Sequence, residues 1–244
     1  MSLAAKFQQT KTLLGLWDTI LFAASRAIDI TTSSRLRLLK YYFIAQPITE
    51  QFIQDSAEVS RISPFTLSWV QSDCPVFTQV ERPSLVLNAR FAKNAHCLLA
   101  THGDDKKFAG FLWFIVGPYD EDEVRARFIP QPSGITAWDF DVTIAPRFRM
   151  GRLFSYLWRA ANMEMRTLGI THSLSRISAF NAASLASHQR LGGTIVGQAT
   201  FLCAGRFQLM ASSLRPYLHL SWLNTQRPEI LVSSNIYRPG SDCA

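Results

Sequence analysis

The chain has 244 residues, of which 48% are hydrophobic and 12% aromatic, and this composition excludes an intrinsically disordered protein. The formal net charge of +7 favours an anionic partner, such as a nucleotide cofactor, a nucleic acid or an acidic membrane surface. The sequence has no run of five basic residues and no helix-turn-helix or zinc-finger pattern, so nucleic acid is the weakest of these three interpretations.

The N-terminal segment carries apolar residues at helical spacing, which predicts a helix from Met1 to about Ile30. The apolar stripe contains Leu13, Leu14, Leu16, Trp17, Ile20, Leu21, Ala24 and Ile28. The longest uncharged run, Thr19 to Ser25, is too short to span a bilayer. We expect this helix either to pack on the chain or a partner, or to make a peripheral membrane contact through residues 1–30.

The next segments suggest a boundary between this helix and a main domain. Residues 36–48 predict a strand that ends at Pro47, and residues 63–83 are rich in Pro, Ser and Asp, which is typical of a loop. We therefore predict a helical extension over residues 1–80, a main domain over 81–213 and a tail over 214–244.

The first half of the main domain predicts one helix and three strands. The helix covers residues 84–91, and the strands cover 95–101, 108–116 and 123–129. We expect the last of these strands to pair with the segment that begins at Trp138. Four consecutive acids, Asp120 to Glu123, form either a solvated hairpin tip or a surface that attracts a cationic amine.

The segment from Trp138 to Ile144 alternates apolar and polar residues, which predicts a strand. One face would carry Trp138, Phe140, Val142 and Ile144, and the other Asp139, Asp141 and Thr143. Two carboxylates on one face would repel each other and raise the pKa of one, as a general base requires. Alternatively, they pair with Arg125 or Arg127 across the hairpin.

A basic loop follows this strand. It contains Arg147, Arg149 and Arg152 around Gly151, and residues 153–168 then predict an amphipathic helix. The first N–H groups of a helix have no backbone partner and can hold phosphate, to which arginines add charge. The junction is therefore either an anion site or a solvated surface loop.

A second junction of the same kind follows downstream. His172 to Ser178 predicts a strand, Asn181 lies in the turn after it, and Ala182 to Leu191 predicts a helix. Two glycines end this helix, and Thr194 to Cys203 predicts another strand.

The two junctions together resemble the GNAT superfamily of acyltransferases. In that family a strand ending in V-x-P leads into an Arg/Gln-x-x-Gly-x-Gly/Ala loop, which holds the pyrophosphate of acyl-coenzyme A (acyl-CoA). The tripeptide Ile144-Ala145-Pro146 matches the first motif, and Arg147 begins the loop. Met150 and Arg152 stand at glycine positions of the family, with Gly151 between them.

The downstream half of the resemblance concerns a strand, an asparagine and a helix that carries a tyrosine in the family. Asn181 matches the asparagine, and His188 occupies the place of the tyrosine. The resemblance implies that His188 could return a proton to the departing thiolate or act as a base, whereas otherwise it is a helix-surface histidine. Asp139 or Asp141 is the other candidate base.

The resemblance implies a mixed α/β GNAT fold, with helices flanking a central mixed, mostly antiparallel sheet and with an N-terminal helical extension. It implies direct transfer from acetyl-CoA or another acyl-CoA to an amine of a small molecule or peptide. The cofactor contacts that it implies are Val142, Ile144, Arg147, Arg149, Met150, Gly151, Arg152, Leu153, Asn181, Ser184 and Ser187.

Two other functions stay open at this point. The chain could transfer a long acyl group from acyl-CoA or acyl carrier protein, or it could bind coenzyme A without turnover as a sensor or interaction module. The cysteines, Cys74, Cys97, Cys203 and Cys243, have no metal-ligand spacing, so we expect free thiols in a reducing compartment and no metal. We expect a cytoplasmic protein, either free or peripheral at the inner membrane face.

Overall fold

The computed structural model describes residues 15–32, 35–49, 64–80, 82–149, 151–223 and 225–234. The helices are α1 (Leu16–Thr31), α2 (Ser84–Ala92), α3 (Leu153–Thr167) and α4 (Ala182–Arg190), with 3-10 turns at Pro75–Gln79 and Pro146–Phe148. The strands are β1 (Leu36–Pro47), β2 (Phe65–Val70), β3 (His96–His102), β4 (Lys107–Val116), β5 (Tyr119–Asp120), β6 (Arg127–Gln131), β7 (Thr136–Ile144), β8 (His172–Ser178), β9 (Thr194–Ala204), β10 (Phe207–Ser212), β11 (Leu218–Ser221) and β12 (Glu229–Ser233).

The chain divides into two compact units, each assembled from separate stretches of sequence. The first unit comprises Met1–Gln46, Pro118–Pro132 and Leu174–Ala244, and the second comprises Pro47–Gly117 and Ser133–Ser173. The mixed α/β class expected from the sequence is confirmed, because helices accompany sheets whose strands pair mostly antiparallel. The boundaries predicted at residues 80 and 213 stay predictions.

The first unit contains two sheets. The larger has the order β11-β10-β9-β1-β8, in which β1 pairs antiparallel with β9 and β10 with both of its neighbours. The smaller has the order β12-β6-β5, with β12 parallel to β6. Phe43 of β1 contacts Phe128 of β6, with 5.3 Å between ring centroids, so aromatic side chains pack between these sheets.

Helix α1 is attached to the larger sheet of the first unit by polar contacts. The buried carboxylate of Asp18 accepts hydrogen bonds from Lys40 Nζ at 2.7 Å and from Tyr42 Oη at 2.5 Å. Part of the apolar stripe predicted for this helix instead faces solvent, since the side chain of Trp17 is 77% exposed. The predicted helical residues before Gly15 lie outside the described part of the chain. None of the described helices is both long and apolar enough to cross a membrane.

The second unit contains a four-stranded antiparallel sheet in the order β7-β4-β3-β2. Its core contains fully buried tryptophans from β4, β7 and α3, namely Trp113, Trp138 and Trp158. The helices and strands predicted from residue 84 to residue 204 agree with the observed bounds to within a few residues at each end.

One predicted pairing is wrong. Residues 123–129 were expected to pair with the Trp138 strand, but β6 pairs with β5 and β12, whereas β7 pairs with β4. Strand β2 lies within the segment predicted to be a loop with short pieces of structure, and β11 and β12 lie within the predicted tail. Strand β12 is short and its partner β6 is distant in sequence, so local periodicity carries little information about this pairing.

Candidate functional site

Strand β7 contains a bulge near its carboxyl end. Phe111 of β4 pairs with Thr143, but Trp113 pairs with Phe140, so Leu112 opposes two residues of β7. Asp141, one of these two residues, has a φ of 48°. A bulge takes backbone groups out of the regular ladder and re-aims them, and bulges are frequent beside active sites.

The bulge corrects the predicted division of side chains between the two faces of β7. Phe140 and Thr143 share a face because their partners on β4 are two residues apart. Ile144 therefore lies on the face of Asp139, and the prediction that it shares the face of Trp138 is wrong. Gly110, opposite Ile144, permits the close approach of the strands, since a Cβ there would lie 2.7 Å from the Thr143 carbonyl oxygen.

The Asp141 carboxylate is bound by two arginines. Arg82 donates to both of its oxygens, at 3.1 and 3.0 Å, and Arg90 Nη1 donates at 2.7 Å. Thr143 Oγ1 donates to it at 3.0 Å. The guanidinium of Arg90 also lies 5.2 Å from the ring centroids of Trp113 and Phe140, which fixes its position.

These contacts correct the role expected for Asp141. Burial acts to raise the pKa of Asp141, but the hydrogen bonds and charges of Arg82 and Arg90 outweigh burial and lower this pKa below its usual value. The expectation that repulsion between the two carboxylates would raise it is therefore wrong for Asp141. The expected pairing with Arg125 or Arg127 is also wrong for this carboxylate, because Arg125 donates to the Arg206 carbonyl and Arg127 pairs with Asp120.

Asp139 has a different environment from Asp141. Its side chain is buried on β7, and Ser173 Oγ donates a hydrogen bond to Oδ1 at 2.6 Å. A hydroxyl can rotate its hydrogen away and then accept a hydrogen bond from the carboxyl group once that group is protonated. Asp139 is therefore the carboxylate of this strand that could accept a proton during a reaction.

The basic loop folds back onto the end of β7. Arg149 Nε donates to the Ile144 carbonyl at 3.1 Å, and Arg147 donates to the Phe108 carbonyl at 3.4 Å while its guanidinium lies 4.5 Å from the ring of Phe148. Both side chains are largely exposed. The loop therefore presents positive charge on a backbone that its own hydrogen bonds hold in place.

Helix α3 begins directly after this loop. Arg152 occupies its N-cap position and is exposed, and within the described residues no side chain caps the first turn. The first N–H groups of α3 are therefore open to an anion, with the Arg152 charge beside them. The side chain of Leu153 is fully buried, so only its backbone could contact a cofactor. The predicted contact at Met150 lies outside the described residues.

The candidate residues of the second junction lie in the first unit, on α4. Asn181 caps this helix, because its Oδ1 accepts a hydrogen bond from the Ser184 N–H at 3.1 Å. Ser187 Oγ donates to the Ala183 carbonyl at 2.8 Å. The Asn181 side chain thus stabilises the helix start, which accounts for an asparagine there without a cofactor, and the Ser187 hydroxyl is satisfied within its own helix.

His188 faces the interior, so the alternative of a helix-surface histidine is wrong. Its side chain is buried, and burial lowers the pKa of His188 to about 4. The imidazole is therefore neutral at pH 7 and carries no acidic proton of the kind that an imidazolium would return to a thiolate. Only a role as a base or as a neutral hydrogen-bonding group is compatible with this pKa.

The acidic segment after Asp120 is not a solvated tip. Glu121 is paired with Arg176 at 2.7 Å, and Glu123 accepts hydrogen bonds from Tyr41 Oη at 2.6 Å and contacts Arg176 at 3.2 Å. These residues line part of a cavity of about 310 Å³ in the first unit. Their charges are largely compensated, which weakens the interpretation that they attract an amine.

The structure therefore separates the candidate residues into two groups. The second unit holds Asp139, Asp141, Val142, Ile144, Arg147, Arg149, Gly151, Arg152 and Leu153, and the first holds Asn181, Ser184, Ser187 and His188. Sequence analysis missed Arg82, Arg90 and Ser173, the partners of the two aspartates. Nothing local in the sequence marks these pairings, since Arg82 lies 59 residues from Asp141. Among the described residues, no group of three His, Cys, Asp or Glu side chains could hold a metal ion.

Comparison with known proteins found solved structures that are similar to this chain. No protein-family model and no curated protein matches the chain. A conserved protein of unknown function from Staphylococcus epidermidis matches with a TM-score of 0.47 and 11% identity, over 72% of this chain and 66% of that one. A protein from Novosphingobium aromaticivorans named as a GNAT-family acetyltransferase matches with a TM-score of 0.46 and 15% identity, over 67% and 63%. A Trypanosoma brucei acetyltransferase matches with a TM-score of 0.38 and 14% identity, over 52% and 91%.

Substitution Asp141→Asn should destabilise the protein strongly. It removes the negative charge but keeps the side-chain shape, and the Arg90 guanidinium, which is only 12% exposed, loses its ion pair with Asp141. We expect a loss of about 3 kcal/mol in the free energy of unfolding, measured by urea denaturation. The control is Asp105→Asn, which removes one partner of the exposed pair with Lys107 and should change stability by less than about 0.5 kcal/mol. Equal effects of the two substitutions would contradict the structural role of Asp141.

Substitution His188→Gln should change how stability depends on pH. The pKa of His188 is about 4 in the folded chain and about 6.5 in an unfolded one, so its contribution is complete above pH 6.5. This contribution is lost as the pH falls from 6.5 through 4, by an amount of the order of 3 kcal/mol. The unfolding free energy of the variant, measured between pH 7.5 and 4.5, should therefore fall less steeply than that of the parent. Parallel curves would show that His188 titrates normally.

Proposed function

We propose that this chain is an acyl-CoA-dependent N-acyltransferase of the GNAT type that moves an acetyl group to an amine. The observation that carries the proposal is the continuous run of a bulged strand, a loop with exposed arginines and an uncapped helix start in the second unit. In the reaction, the amine nitrogen attacks the thioester carbonyl, the C–S bond breaks and coenzyme A leaves as a thiolate. The proton lost by the amine must be accepted, and the thiolate must be protonated or released.

The pyrophosphate of the cofactor fits the loop and the helix start in this proposal. The N–H groups of the first turn of α3 supply directed donors, and Arg152 supplies charge beside them. Arg147 and Arg149 could also donate hydrogen bonds to a phosphate. Each guanidinium has five N–H groups, and the hydrogen bonds to the Phe108 and Ile144 carbonyls each take one of them. The backbone near Val142 and Ile144 would serve the acyl carbonyl and the pantetheine arm, because the bulge interrupts the ladder there.

Asp139 is the proposed general base. It is buried, and it accepts a hydrogen bond from the Ser173 hydroxyl. Asp141 then acts as a positioning residue that holds the bulge. His188, neutral at pH 7, is the alternative base.

Binding of coenzyme A without turnover is a second candidate function. It is favoured by the residues that replace glycines of the family loop, among them Arg152, and by the engagement of Asp141 with two arginines. Transfer of a longer acyl group, from acyl-CoA or acyl carrier protein, is a third candidate, which the titration below distinguishes from acetyl transfer.

Binding of the cofactor is the first test of the proposal. We expect coenzyme A and acetyl-CoA to raise the thermal unfolding midpoint, since a ligand at a hundredfold excess over its Kd stabilises the folded state by about 2.7 kcal/mol. Substitution Arg152→Ala should weaken binding about tenfold or more, because a charge-assisted contact to phosphate is lost. Arg166→Ala removes the same charge from the last turn of α3, about 20 Å from the first turn, and should leave the Kd unchanged.

The pattern of shifts separates the candidates. A shift with long-chain acyl-CoA alone would favour the longer donor. If coenzyme A, acetyl-CoA and long-chain acyl-CoA all fail to raise the unfolding midpoint, the proposed phosphate site is contradicted, and with it the proposed function. Equal effects of Arg152→Ala and Arg166→Ala on the Kd would contradict it as well.

Turnover is the second test, with thiol release from acetyl-CoA followed in the presence of a panel of polyamines, aminoglycosides and lysine peptides. We expect Asp139→Asn to lower the rate about a hundredfold or more, because a general base contributes on the order of 10²–10⁴, while the Kd for acetyl-CoA stays the same. His188→Gln, with its rate measured in parallel, tests the alternative base. Binding of coenzyme A without thiol release from any amine would favour the non-catalytic module.

A further inference from the structure

The larger sheet of the first unit has a row of leucines on one face. In the strand register, Leu38 of β1 pairs with Leu202 of β9, Leu202 with Leu209 of β10, and Leu209 with Leu220 of β11. Residues paired across neighbouring strands share a face of the sheet. Phe207 and Trp222 lie in the next row, where their rings are 5.7 Å apart.

This face of the sheet is exposed to solvent near the edge strand β11. On the opposite face, Cys203, Gln208 and Ser221 are buried, although two of them are polar. Towards the edge strand β11, by contrast, Leu220 is 57% exposed and Leu218, on the same face, is 67% exposed. An antiparallel sheet normally buries its apolar face, and the opposite face here does so with Phe201 and Met210. The leucines of β9–β11 are therefore apolar residues on the face where polar ones are usual.

Helix α1 packs on the same face, at β1. Its Asp18 is bound to Lys40 and Tyr42, which alternate with Leu38 along the strand and so share its face. With this carboxylate directed inward, α1 shows Leu16, Trp17 and Ile20 to solvent. We call the exposed apolar residues of β9–β11 the leucine face, and exposed apolar surface of this kind commonly marks an interaction site.

The charge on the strands β9–β11 and the turns between them is positive. The sequence has no Asp or Glu between Glu164 and Glu229, a range that contains β9, β10 and β11. The exposed Arg206 lies in the turn between β9 and β10, and the exposed Arg215 lies between β10 and β11. An occupant of this face must therefore accept apolar side chains and also carry negative charge.

A second copy of the chain fits this requirement poorly, because a two-fold contact would bring the same positive surface against itself. A lipid bilayer with anionic headgroups fits both parts. Leucines and tryptophans can enter the boundary between headgroups and acyl chains, while arginines bind the headgroup phosphates. We infer that the leucine face docks this protein peripherally on an anionic bilayer.

Flotation of the full chain with lipid vesicles tests this inference. We expect the protein to float with vesicles that contain phosphatidylglycerol, to bind pure phosphatidylcholine vesicles far less, and to dissociate partly in high salt. Substitutions Leu218→Ser and Leu220→Ser should each lower the bound fraction at least about threefold. The matched control is Leu231→Ser, which changes a leucine of similar exposure, 54%, on β12 of the smaller sheet.

Three outcomes would overturn the inference. The first is the absence of binding to vesicles of either composition. The second is binding that Leu218→Ser and Leu220→Ser leave unchanged, which would assign it to another part of the chain. The third is a dimer by light scattering that Leu220→Ser converts to monomer, which would make the leucine face a contact between copies. The test is independent of the proposed acyl transfer, since it measures neither coenzyme A binding nor thiol release.

Discussion

The ion pairs between Asp141 and the two arginines Arg82 and Arg90 are the constraint on which the candidate site depends. A non-glycine residue with a φ of 48° is uncommon, although aspartate tolerates it better than most residues. Such a conformation persists only when surrounding contacts over-determine it. The carboxylate here accepts bonds from both guanidinium groups and from Thr143, and the bulge that re-aims the end of β7 is fixed as a result.

The buried carboxylates of this chain show how environment separates structural from chemical roles. Asp18 forms an ion pair with Lys40, which attaches helix α1 to the sheet. Asp141 forms ion pairs with Arg82 and Arg90, which hold the bulge of β7. Asp139, two residues before Asp141, accepts a hydrogen bond from the Ser173 hydroxyl. A carboxylate engaged by two guanidinium groups is held in its charged form and has little basicity left, and a neutral hydroxyl donor favours the charged form less strongly than two cations do.

Periodicity predicted most of the fold, because helices and strands between residues 84 and 204 bury one face at a regular spacing. It could not predict the bulge, since the alternation of Trp138 to Ile144 continues unbroken in the sequence while the backbone changes phase at Asp141. For the same reason it placed Ile144 on the wrong face. The site was predicted as far as local motifs reach, namely the strand, the arginines and the helix start, but the partners of Asp139 and Asp141 come from other elements and no local signal marks them. The inward position of Asp18 leaves part of the predicted apolar stripe of α1 exposed, since hydropathy does not take account of a buried ion pair with Lys40.

The position of β1 between β8 and β9 has a consequence for biosynthesis. β1 ends at Pro47, yet β8, the first of its two neighbours to be made, begins about 125 residues later, which at 5–20 residues per second corresponds to roughly 6–25 s of translation. During that interval β1 has emerged without either of its neighbours in the sheet, and its carboxyl half contains Tyr41, Phe43 and Ile44, all of which become buried. The second unit, by contrast, is complete once Ser173 has emerged. Strand β1 of the nascent chain is therefore exposed to incorrect pairing until β8 and β9 have been synthesised. It is the segment that a ribosome-associated chaperone would have to protect.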